Sequence, residues 1–253
     1  MLNFDLEKYP RSRNKDNLEI CEQVLIHVDE KKKSGLDLNE IDVRAFIVAL
    51  KVCLEKACKS LYNSKDVTGL CTKLRDAGRR SAPWKPTSSV VPGRPQDGSD
   101  GNRINRWLLE ETHKFYASEI VATLVEAKYY LQLFSMLNAP NFPINNMENR
   151  FQWLVEHPIK SGTYKDPIQL IDIDFSEIII ERRNIQSGHL HPLDRGGKHI
   201  PDNTFLMLAR SNQLQGNLTA AELIDLMKFI VQQHELNAQR NDELESLIRE
   251  QTI

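Results

Sequence analysis

Long apolar runs are missing from this chain. No window approaches the roughly eighteen uninterrupted apolar residues of a membrane-spanning helix, so no spanning segment and no membrane partner are expected. The first residues, MLNFDLEKYPRSRNKD, are charged and contain no apolar core of a secretory leader, which makes a cytoplasmic protein the expectation. Neither sign of charge dominates: 33 Lys and Arg face 35 Asp and Glu, a formal net charge of -2. That balance does not advertise a nucleic-acid partner, yet a local basic cleft can hold phosphate on a neutral protein. Cysteine is scarce and never paired as CxxC. Cys21, Cys53, Cys58 and Cys71 read as reduced, buried thiols rather than a zinc knuckle. There is no internal repeat.

What is there is mostly helical. Leu18, Cys21, Val24, Leu25 and Val28 recur at helix spacing, and Ile41, Val43, Phe46, Ile47, Leu50 and Leu54 do so after a polar break at 31–35. Asp37 or Asn39 is placed to cap the second helix, and a shorter third helix is expected near 66–77. Residues 78–105 are rich in Gly, Pro and Ser and read as a linker or long loop. From Lys73 to Arg106 eight Lys and Arg face three Asp, a net of +5. This stretch is either a solvated linker or a loop that tracks a phosphate backbone through Arg79, Arg80 and Lys85, with Trp84 free to stack. One long helix is expected over 105–137. The Ile-rich 168–181, IQLIDIDFSEIIIE, reads as a strand or two, with Asp172 and Asp174 solvent-facing. The tail is helical again, opened by the capping box Thr219-Ala-Ala-Glu222 and an apolar stripe at Leu223, Leu226, Met227 and Ile230.

The chemistry-bearing stretch is 187–217, SGHLHPLDRGGKHIPDNTFLMLARSNQLQGN. Three of the seven histidines fall within it, inside eleven residues. A short apolar-alternating start leads to Gly196-Gly197, then to an apolar run from Phe205 to Leu208, then to a polar, helix-like end. A strand, a loop, a strand and a helix are thus expected within about thirty residues.

This stretch resembles the HNH nucleases, whose core is the ββα-metal or His-Me finger. His189 matches the family's general-base histidine, three residues before Pro192. Asn203 matches the middle Asn and Asn212 the last residue of the triad, at separations of fourteen and nine residues. The resemblance covers about an eighth of the chain and includes Pro192, the double glycine and the Phe-Leu-Met-Leu strand.

The resemblance implies an α+β protein: a mostly helical N-terminal region, then a C-terminal ββα-metal nuclease core with a helical tail. Together with the segments read above, it divides the chain into helical residues 1–77, the basic linker or loop 78–105, a helical recognition or dimerisation region 106–165, and a nuclease domain 166–253 with C-terminal helices. It implies hydrolysis of phosphodiesters in double-stranded DNA by His189 as general base with Mg²⁺ (or Mn²⁺). A neutral imidazole can take a proton from water at pH 7, and a hard cation can hold the phosphate and the leaving 3′ oxygen. Asn212 would offer the cation an amide oxygen, and Asn203 would tie down the loop that aims His189. Arg195, Lys198 and Arg210 are candidate phosphate contacts.

Relatives often carry Asp or His, a metal ligand, just before the general base. This chain has Gly188 there. His191, on the same strand face as His189, or His199, in the covering loop, could supply the second ligand. Asp194 is a further candidate. Size and layout further resemble prokaryotic restriction or defence endonucleases. A homodimer would supply one site per strand, with the N-terminal helices and the 105–137 helix as candidate interfaces. A nicking, homing-type or modification-dependent nuclease, or an inactive DNA-binding relative, stands as the alternative.

Overall fold

The computed structural model describes residues 4–80 and 104–250, with side chains described as far as residue 239. Among the described residues helices dominate and one two-stranded antiparallel sheet completes an α+β architecture. Lys85 and Trp84 lie outside the described residues.

Three helices open the fold: α1 Leu18–Lys33, α2 Glu40–Cys58 and α3 Ser64–Gly78. Each begins on an asparagine whose side chain accepts from a backbone N–H of the first turn: Asn17 from Glu19, Asn39 from Asp42 and Asn63 from Lys65. Asn39 and Asp42 bond reciprocally as a capping box. The four cysteines are buried and unpaired.

The expected long helix over 105–137 is instead two pieces. A single 3-10 turn at Arg106–Leu108 is followed by irregular chain, and α4 begins only at Glu119, where Ser118 caps it, and runs to Ser135. The physical reason lies at Arg106. Its guanidinium is buried and donates to the carbonyls of Gly78 (3.2 Å) and Phe115 (3.1 Å), which folds the segment back on itself. The short helix α5 Gln152–Val155 follows. The Ile-rich stretch holds another correction. Residues Phe175–Ile180 form helix α6, capped by Asp174 through Ser176 N–H, and not a strand. Phe175, Ile178 and Ile179 are buried, an i, i+3, i+4 face, while Ile180 points to solvent. Asp174 is therefore a cap, and Asp172 sits in an isolated bridge with Lys165.

Strand β1 Ile185–His189 pairs antiparallel with β2 Thr204–Leu208, Ile185 opposite Leu208 and His189 opposite Thr204. Helix α7 Ala209–Gln215 follows directly, then α8 Ala220–Glu250. A two-stranded ribbon is marginal alone. Here its outer edge is closed by side chains: Gln132 accepts from Leu206 N–H (3.1 Å), Tyr164 donates to Leu206 C=O (2.5 Å) and Asp166 accepts from Leu208 N–H (2.8 Å). One hydrophobic cluster runs from Tyr9 through Phe46, Tyr129 and Phe134 to Ile185 and Leu206, so the N-terminal helices and the ribbon share a core. Helix α4 is buried almost all round. The start of α8 is the opposite: Ile224, Leu226, Met227, Phe229, Ile230 and Val231 are all exposed. No helix among the described residues is long and apolar enough to cross a membrane.

Candidate functional site

β1, β2 and α7 form a strand–loop–strand–helix unit whose loop, residues 190–203, is held by specific bonds. Gly196 takes φ +89°, the left-handed region that glycine enters freely. Gly197 must lack a side chain, because a Cβ there would lie 2.0 Å from the His191 carbonyl oxygen. Asn203 closes the loop from behind. Its amide oxygen accepts from His191 N–H (2.8 Å), and its amide nitrogen donates to the carbonyls of His191 and Lys198 (2.9 Å each). From α7, Gln215 donates to the carbonyls of His189 (2.8 Å) and Leu190 (3.2 Å) and so fixes the end of β1. Lys128 of α4 donates to Pro201 C=O (2.6 Å) and lies over the Phe205 ring.

A cleft of about 1060 Å³ lies between this unit and α3. Lys73, Asp76 and Arg80 line one wall; Gln186, His189 and Asn212 line the other. Arg106 is buried at its base. His189 Nε2 lies 3.0 Å from His199 Nδ1, and His199 Nε2 lies 2.7 Å from Gly78 C=O. No protein group among the described residues is bonded to His189 Nδ1. Burial, then the charge of Arg106, pushes the His189 ring down to about 4, and the same causes hold His199 well below the usual imidazole range. Both rings are therefore neutral at pH 7.

Asn212 is oriented by donating its amide N–H to Gln186 Oε1 (2.7 Å), which turns Oδ1 toward Gly188. That oxygen has no protein donor among the described residues. The room a side chain at 188 would need is filled by Met207, whose Cε and Sδ would lie 2.4 and 2.5 Å from an added Cβ. Among the described residues no group of three or more His, Cys, Asp and Glu side chains gathers as a metal site. Among the described residues the cleft offers a cation the Asn212 oxygen; the Asp76 and Asp194 carboxylates line the same cleft but are ion-paired, Asp76 with Arg75 and Arg80 and Asp194 with Lys114. That donor set fits a hard cation that keeps most of its water.

Of the residues singled out in the sequence, His189, Asn212 and Arg80 meet in this cleft, and Asn203 stands behind it. Asp194 lines it too, and the other described candidates do not. His191 lies beyond the end of β1, not on a shared strand face; it is exposed and its Nε2 donates to Arg195 C=O (3.0 Å). His199 is buried with both ring nitrogens taken by protein partners, which leaves no lone pair facing a cation. Arg195 grips the Glu222 carboxylate with two nitrogens, tying the loop to the first turn of α8 and holding Glu222 down at about 2. Arg79 is paired with buried Glu126 at 2.5 Å, and burial lifts Glu126 to about 7. Lys198 and Arg210 are exposed and lie off the cleft lining. Asp194 is ion-paired with Lys114. Sequence reasoning missed Lys73, Gln186 and Arg106 as parts of this site. Lys73 and Arg106 had only their share in the basic tally to signal them, and Gln186 had no signal at all.

No protein-family model and no curated protein matches the chain. A solved structure described as a type II restriction endonuclease is similar over 72% of this chain and 83% of that one, at 15% identity and a TM-score of 0.48. A likeness that distant says nothing about chemistry, which has to be argued from the cleft.

Proposed function

We propose that this chain is a metal-dependent endonuclease of the HNH type that hydrolyses phosphodiester bonds in double-stranded DNA, a restriction-like enzyme. The observation that carries the reading is the meeting of His189 and Asn212 in the lining of one cleft, on the strand and helix of a ββα unit, with the His189 Nδ1 and the Asn212 Oδ1 unpartnered among the described residues. His189 is neutral and takes a proton from water at Nδ1, breaking the water O–H bond. The hydroxide attacks phosphorus on the side opposite the leaving O3′, which departs and is protonated by solvent. Lys73, which also donates to the Arg182 carbonyl, and Arg80, which also pairs with Asp76 at 3.4 Å, add positive charge to the facing wall and draw the phosphate backbone to it. Asn203 keeps the loop, and with it the end of β1, in one conformation. Bound at the Asn212 oxygen, Mg²⁺ (or Mn²⁺) would supply positive charge to the scissile phosphate and the leaving oxygen.

Two strands call for two sites, and a homodimer supplies them. Helix α4 is consumed by the core and is not available as the interface, whereas the uncovered apolar start of α8 is. Gly188 favours one alternative, a protein that binds DNA without cutting it, because Met207 fills the space where relatives place an acidic ligand. Plasmid DNA separates the two. Purified protein with Mg²⁺ or Mn²⁺ nicks or linearises it and the His189→Ala variant does not; binding with no cleavage under any divalent cation overturns the nuclease reading.

A further inference from the structure

Helix α3 ends at Gly78, whose carbonyl receives two donors, Arg106 Nε at 3.2 Å and His199 Nε2 at 2.7 Å. A carbonyl oxygen only accepts, so the ring proton of His199 sits on Nε2. A neutral His199 then presents a lone pair at Nδ1, 3.0 Å from His189 Nε2, and His189 has to donate there. The single proton of a neutral His189 is thereby placed on Nε2, and the lone pair on Nδ1. The chain of bonds runs from the backbone of α3 through two rings to the cleft and spans residues 121 positions apart in sequence.

We propose that His199, seated on the Gly78 carbonyl, is a positioning residue that fixes the tautomer and ring angle of His189 so that the Nδ1 lone pair meets the cleft. The proposal rests on the nuclease reading for its consequence but not for its geometry. His199 touches no substrate; it acts through His189. The arrangement also serves the protonated ring, since an imidazolium formed at Nδ1 still donates from Nε2 to His199 and need not turn. Gly78 belongs to the device as its anchor. A Cβ there would lie 2.7 Å from Glu126 Cβ and 2.8 Å from its Cα, so α3 rests directly on α4 and the carbonyl cannot drift.

The test uses the full chain, ring-labelled with ¹⁵N at histidine, alongside His199→Ala and His199→Asn. Asparagine keeps an acceptor oxygen near the place of Nδ1. Circular dichroism establishes that each variant is folded. In the wild type a proton on His189 Nε2, protected from exchange, is expected, with Nδ1 unprotonated. In His199→Ala that protection is lost and kcat for plasmid nicking falls about 10–100-fold, as for other groups that orient a reactive ligand, with KM for DNA unchanged. His199→Asn recovers most of the loss. Wild-type cutting matched by His199→Ala, with the protected proton still present, overturns the proposal and leaves the nuclease reading standing. A loss confined to KM also overturns it. If the wild type never cuts, the nuclease reading falls, and the ring proton alone then decides: its absence from the wild type refutes the fixed tautomer, and its presence there with loss in His199→Ala upholds it.

Discussion

Gly197→Ala is the smallest change that should disable this site. The added methyl would stand 2.0 Å from the His191 carbonyl oxygen and 2.8 Å from that of Pro192. Neither neighbour is a flexible side chain, so the loop has to move by more than about 1 Å to reach van der Waals separation. Two hydrogen bonds lie in the way of that movement, Gly197 N–H to Pro192 C=O (3.0 Å) and Asn203 Nδ2 to His191 C=O (2.9 Å). At about 0.5–1.5 kcal/mol net each, their loss costs about 1–3 kcal/mol. Partial exposure of the loop places the value near the lower end. For a chain of this length that is a fall in Tm of roughly 3–6 °C. Activity should suffer more than stability, because displacing a reacting group by about 1 Å can cost about a hundredfold in rate. Thermal unfolding followed by circular dichroism and initial rates of plasmid nicking measure the two effects on the same samples. Gly196→Ala is the comparison: its cost of about 1 kcal/mol comes from φ +89° and not from any neighbour. A Gly197→Ala protein that melts and cuts like wild type would refute the loop geometry described above.

Three further outcomes are expected. Because burial and Arg106 lower the His189 ring to about 4, the unfolded chain binds the proton more tightly; this ring's contribution to stability is complete above about pH 6.5 and declines as pH falls toward 4, by up to about 3 kcal/mol, which urea midpoints at several pH values will show and His189→Asn will reduce, the slope left by His199 remaining. Asn212→Ala should raise the Mg²⁺ or Mn²⁺ concentration needed for half-maximal nicking by about tenfold while leaving the rate at saturating metal less affected, and an unshifted metal titration would remove Asn212 from its role. Gly78→Ala meets the backbone of Glu126 and should lose about 1–3 kcal/mol, whereas Gly188→Ala meets side chains, the flexible Met207 thioether and, at 3.1 Å, the Asn212 amide oxygen, and should lose less; the reverse order in urea melts would contradict the packing of α3 on α4.

The elements themselves were largely legible. A 3.6-residue apolar spacing marks α1 and α2, Asn39 is one of two candidate caps for α2, and alternation around a double glycine marks the ribbon and its loop; the caps Asn17 and Asn63 emerge only with the structure. Where the reading failed, a local pattern was ambiguous or a distant partner intervened. IQLIDIDFSEIIIE is β-branched enough to suggest a strand, but Asp174 caps its second half and an i, i+3, i+4 face is buried, so tertiary burial outweighed propensity. The 105–137 pattern looked continuous because nothing in the order of residues announces that Arg106 bonds the end of α3. His191 and His199 were equal candidates as ligands from spacing alone.

The sequence determined by itself the secondary structure of residues 185–215 and the types of side chain they carry, because strand alternation and glycine φ preference act within a few residues. Only the tertiary structure decided which histidine reaches the cleft, which is seated on a carbonyl of α3, and which basic residues are taken by Glu126 and Glu222. Those outcomes depend on hydrogen bonds and ion pairs between segments far apart in the chain, and such contacts leave no periodic trace in the order of residues.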